Sequence, residues 1–96
     1  MIASMSGPET VLVRVTGRVQ GVGYRAWAAD AARGLGLRGW VRNARDGSVS
    51  ALLSGPSEAV AAMIAAMRDG PRHAAVAAVT SEPSPEMPPA DFEIRR

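Results

Sequence analysis

Cysteine and lysine are both missing from these 96 residues. Without cysteine there is neither a disulfide framework nor thiolate chemistry, and the chain suits a reducing cytoplasm. Without lysine, all eleven cationic side chains are arginines, which stay protonated to beyond about pH 12, so the small formal excess of +2 persists into alkaline solution. An excess that small is weak evidence for nucleic-acid binding. The single histidine, His73, cannot build a metal site, and no cluster of acids offers one, so no metal is expected. Residues Met1 to Ser6 lack the charged and apolar regions of a signal peptide, and no run is long enough to span a bilayer. A cytoplasmic, soluble protein without a membrane partner is the expectation.

What is present suits one compact core: 47% of the residues are apolar, too short a chain for a second domain. Residues 1–9 read as a flexible tail and 10–96 as a single domain. Val11, Val13 and Val15 alternate with Leu12, Arg14 and Thr16, the period of a half-buried strand. From Tyr24 to Leu35 the apolar positions Tyr24, Ala28, Ala31 and Leu35 recur at helical spacing, and Gly34 and Gly36 stop the helix. Gly39 to Asn43 and Val49 to Leu53 flank an Asp46-Gly47 step that supplies the positive φ of a tight turn, which predicts an antiparallel hairpin.

Ser57 is placed to cap a second helix, with Glu58 set against the positive end of its dipole. Val60, Met63, Ile64 and Met67 line one face before Gly70-Pro71 ends the helix. His73 to Thr80 alternates again, Glu82 to Asp91 holds four prolines and reads as an extended loop, and Phe92 to Arg95 forms a short last strand. The order βαββαβ with an extra C-terminal strand predicts an α+β, ferredoxin-like sandwich with two helices on one face of a mainly antiparallel sheet. Alternation assigns Val11, Val13, Val15, Val41, Val49, Ala51 and Leu53 to the helix side. It turns Arg14, Trp40, Arg42 and Leu52 to an open face.

Between the first strand and the first helix lies Gly17-Arg18-Val19-Gln20-Gly21-Val22-Gly23-Tyr24-Arg25. A glycine-rich turn at a helix N-terminus presents unpaired N–H groups and the positive dipole end, a site for a phosphate-like anion, and Arg25 can grip that anion bidentately. This segment resembles the acylphosphatase signature G-x-V-Q-G-V-x-[FY]-R. Gly39-Trp40-Val41-Arg42-Asn43, followed by Gly47-Ser48-Val49 and Gly55, resembles that family's strand–turn–strand motif, and two motifs at the right separation are far more specific than one.

The resemblance covers residues 10 to 95. It implies a hydrolase that splits acyl phosphates, which are carboxylic-phosphoric anhydrides, into a carboxylate and inorganic phosphate without a cofactor. It places the phosphate cradle on the backbone of Gln20, Gly21, Val22, Gly23, Tyr24 and Arg25, the phosphate-gripping side chain on Arg25 and the water-orienting amide on Asn43. One departure is Ala28, where the family often carries a hydroxyl.

The chemistry accords with those roles. A carboxylate is a good leaving group that needs no general acid, so electrostatic stabilisation and positioning suffice in motifs that contain no histidine, cysteine or paired carboxylates. Two other readings compete. Gly21-Val22-Gly23-Tyr24-Arg25-Ala26 fits a dinucleotide fingerprint, but Asp46 falls in the hairpin turn and the chain is too short for a doubly wound sheet. An RNA-binding sheet would use Arg14, Trp40 and Arg42, yet it would have one stacking aromatic and no paired RNP motif, so no specific nucleic-acid partner is expected.

Overall fold

The computed structural model describes residues 8–96, and most of the expected tail therefore lies outside the described residues. Pro8 and Glu9 already belong to β1 (Pro8–Arg18), which is followed by α1 (Tyr24–Gly34), β2 (Arg38–Asn43), β3 (Val49–Pro56), α2 (Ser57–Asp69), β4 (Ala75–Pro83) and β5 (Phe92–Arg95). The sheet order is β4-β1-β3-β2-β5. Every neighbouring pair is antiparallel except β2 with β5, which is parallel. This is the ferredoxin-like arrangement with its additional edge strand.

Register follows from the valine alternation. Val13 and Val41 both sit opposite Ala51, so one row of inward side chains crosses the three central strands. Ala28, Ala29 and Ala32 of α1 and Val60, Met63 and Met67 of α2 close over that row. Small alanines let α1 approach the sheet, while each fully buried methionine or leucine contributes roughly 1.5–3 kcal/mol of transfer free energy. All seven residues assigned to the helix side join this core, Val11 as a partly buried member.

The opposite face differs from expectation in one respect. Trp40 and Leu52 do point away from the helices, but Leu52 is fully buried and Trp40 is only 4% exposed. The reason is topological. β4 and β5 occupy opposite sheet edges, so the proline-rich segment 84–91 has to cross from one to the other, and it crosses this face. Ser84 N–H donates to the Thr10 carbonyl at 3.0 Å, Trp40 Nε1–H donates to Glu86 Oε2 at 2.8 Å, and Gly39 N–H donates to the Asp91 carbonyl at 3.1 Å. The strap thus covers the apolar pair that alternation alone leaves bare. β4 also runs three residues beyond Thr80, to Pro83, which shortens the loop expected from Glu82.

Candidate active site

Gly17 does not serve the anion loop. It sits at a bulge against β4, and a Cβ there would come within 2.3 Å of the Ala75 carbonyl oxygen. The loop proper begins at Val19, whose side chain is buried, and Val22 packs against the same core. Between them Gln20 turns its amide to the hairpin, donating from Nε2 to the carbonyls of Ala44 at 2.7 Å and Ser48 at 2.8 Å.

Gly21 and Gly23 have φ of +76° and +77°, and a Cβ on either would touch nothing within 4 Å. Glycine is required there by backbone conformation, since a left-handed residue with a side chain costs roughly 1–2 kcal/mol. With the side chains at 19, 20 and 22 engaged, the loop offers mainly its backbone to solvent.

The first helical bond of α1 runs from Trp27 N–H to the Gly23 carbonyl at 3.1 Å. The N–H groups of residues 21–26 that precede it have no protein acceptor among the described residues. The first turn contains no acidic side chain, so the positive end of the dipole is not neutralised from within α1. The helix start is held in place by Tyr24, whose buried hydroxyl donates to the Met67 carbonyl at 2.8 Å and whose ring meets Trp27 edge-on at 5.3 Å. Burial pushes the Tyr24 phenol well above its usual range, which keeps it a neutral donor.

Arg25 is half-buried beside this loop and donates from Nη1 to the Arg95 carbonyl at 3.1 Å. It has no carboxylate partner among the described residues, whereas Arg14, Arg33 and Arg95 each do. Its charge therefore remains available to a ligand. Asn43, the last residue of β2, is half-buried, and its side-chain amide has no protein partner among the described residues.

The hairpin beyond Asn43 is closed by Ala44 N–H to the Ser48 carbonyl at 2.8 Å, and Asp46 Oδ1 accepts from Ser48 N–H at 2.9 Å and Ser48 Oγ at 2.6 Å. Asp46 Oδ2 accepts from Arg14. Those Ser48 hydrogen bonds are the main cause that holds the Asp46 carboxyl below its ordinary range. Gln20 joins this braced turn to the loop, so the two motifs form one unit.

They share a cavity of about 290 Å³ that brings together Gly21, Gly23, Tyr24, Arg25 and Asn43. Of the residues expected in the site, Gln20 and Val22 do not line it. The cavity also includes Ala26 and Ile94, which the sequence reading did not select. Ile94 lies 69 positions from Arg25 in the chain, and only the parallel pairing of β5 with β2 brings it here. A larger groove of about 590 Å³ lies between the end of α1 and β5. It is lined by charges of both signs, Arg33 and Arg38 against Asp91 and Glu93.

The competing readings lose their footing on the same geometry. Trp40, the aromatic needed for base stacking, has guanidinium groups of Arg42 and Arg95 at 5.1 and 5.3 Å from its ring and its indole N–H committed to Glu86. The sheet is mixed rather than doubly wound, which leaves no switch point for a dinucleotide.

Known proteins resemble this chain along most of its length. The family model described as Acylphosphatase matches residues 11–94. An acylphosphatase of Azorhizobium caulinodans is 58% identical over 87 residues, which cover 91% of this chain and 92% of that protein. Acylphosphatase 2 of Ralstonia nicotianae is 54% identical, with 95% and 97% covered. Among solved structures, an acylphosphatase from Coxiella burnetii superposes with a TM-score of 0.88 at 32% identity, covering 92% of this chain and 93% of its own. One from Bacillus subtilis gives 0.84 at 31%, covering 91% and 98%.

Proposed function

The chain belongs to the acylphosphatase family, and from that premise we propose how its own residues hydrolyse an acyl phosphate. The observation that carries the reading is the meeting, in one small cavity, of free loop N–H groups, an arginine without a carboxylate partner and an uncommitted asparagine amide.

The phosphoryl group sits against the N–H groups of residues 21–26, where the dipole of α1 adds to hydrogen bonding. Arg25 donates to its equatorial oxygens, where charge accumulates in a loose transition state. Asn43 accepts one hydrogen of a water molecule through its side-chain oxygen and aims the lone pair at phosphorus. The water oxygen forms the new P–O bond as the bond from phosphorus to the acyl oxygen breaks. The carboxylate leaves with that electron pair, and the water proton passes to a non-bridging oxygen of the substrate's own phosphoryl group. Inorganic phosphate is thus both product and expected competitive inhibitor, and the proposed setting is the cytoplasm.

The test is hydrolysis of benzoyl phosphate by purified protein after exhaustive chelation, with inorganic phosphate as competitor. Turnover without metal and competitive inhibition by phosphate are expected. Activity that is lost on chelation and returns with a divalent ion would overturn the mechanism.

A further inference from the structure

We infer that Ile94 forms an apolar wall for the acyl group, so that the site favours acyl phosphates with aromatic or branched hydrocarbon chains over short ones. This rests on the reading of the cavity as the hydrolytic site. Phe92 and Ile94 alternate onto the same sheet face of β5, but their surroundings differ. Phe92 lies in the core at 3% exposure, whereas Ile94 is 45% exposed. Among the described residues only Leu35, Met87 and Ile94 are large apolar side chains left this open, and of the three Ile94 alone lines the cavity of Arg25 and Asn43.

Its position is fixed by register. Ile94 pairs with Val41, and Asn43 lies two residues further along β2 on the same face, so Ile94 and Asn43 are diagonal neighbours that line one cavity. The adjacent Arg95 carbonyl receives Nη1 of Arg25, which keeps the guanidinium beside Ile94.

The two sides of the cavity therefore differ in chemistry. The α1 side presents N–H donors and suits a dianion; the β5 side presents a branched hydrocarbon that gains nothing from a phosphate. An acyl phosphate has the matching asymmetry, with a charged head and a carbon skeleton one anhydride oxygen away. An apolar chain laid on Ile94 removes both surfaces from water, whereas an acetyl group is too short to cover it.

The experiment compares benzoyl phosphate with acetyl phosphate for the wild type, Ile94→Ala and Ile94→Thr, the last keeping a β-branched side chain suited to an edge strand. The ratio of kcat/KM for benzoyl phosphate to that for acetyl phosphate is expected to fall roughly three- to tenfold in both variants, through KM rather than kcat. Inhibition by inorganic phosphate should shift by less than about twofold. Circular dichroism reports folding, and a misfolded Ile94→Ala leaves Ile94→Thr to decide. An unchanged ratio in a folded, active variant overturns the acyl wall alone. A wild type that turns over neither substrate overturns the hydrolytic reading together with it.

Discussion

The two helices of this domain begin in opposite ways. α2 starts at Ser57, which is its first helical residue and not the cap expected from the sequence: the N-cap is Pro56, the last residue of β3. No side chain makes a cap hydrogen bond there, but Glu58 in the first turn sets a negative charge against the positive end of the dipole. α1 starts from Gly23 in a left-handed conformation, with no side-chain cap and no acid in its first turn. The positive end of the dipole meets an acidic side chain of its own helix in one case and is left for a ligand in the other. An anion site here is therefore less an added device than a first-turn acid withheld, with Arg25 and Asn43 brought to the place where it is missing.

Four substitutions test that contrast. The largest effect belongs to Arg25→Gln, which removes the fixed charge from the open helix end. It should weaken inhibition by phosphate and lower kcat/KM for benzoyl phosphate by roughly three orders of magnitude. If the folded variant binds phosphate normally, the anion sits elsewhere. Asn43→Ala should slow kcat about a hundredfold with phosphate affinity nearly unchanged, because the amide acts on water rather than on the anion. Full kcat in the folded variant would remove Asn43 from the chemistry.

Ala26→Glu would make α1 begin as α2 does. The exposed residue lines the cavity in the first turn, and a carboxylate there competes with the ligand for the dipole and repels it. Phosphate inhibition should weaken roughly tenfold while the melting temperature holds or rises slightly, since an acid at that position favours the helix. Equal phosphate affinity would mean that the helix end contributes little. The smallest effect is expected at the other helix: Glu58→Gln should cost about 0.3–1 kcal/mol of stability and leave turnover unchanged, read by urea denaturation and the benzoyl phosphate assay.

How much of this was legible beforehand depended on how local the determinant is. The valine alternation, the Asp46-Gly47 turn and the Gly21 to Gly23 part of the loop are decided within a few residues, and each lies where the pattern put it. Burial of Trp40 and Leu52 was not legible, because it depends on which face the strap between β4 and β5 crosses, and its three prolines specify extension without direction. The Gln20 amide was read only as part of a backbone cradle. Its bonds to Ala44 and Ser48 need the hairpin brought alongside the loop. Gly17 misled for a related reason: its role is set by β4, which lies far along the chain. Ile94 gave no signal of its own, since an isoleucine in a short strand reads as core until β5 is known to pair with β2 beside the start of α1.

The strand order β4-β1-β3-β2-β5 also bears on time. Only β2 and β3 are joined by a short turn; every other pairing unites strands separated by intervening elements, and the Arg25 to Arg95 bond spans 70 positions. Such contacts repay their loop-closure entropy late, so topology of this kind slows folding relative to a helical bundle of equal length. Because β5 holds the arginine's carbonyl partner, refolding monitored by activity should lag or match, and never precede, refolding monitored by burial of the core. The hairpin that carries Asn43 is free to form early by contrast, and has to wait for the rest of the sheet before it has anything to act upon.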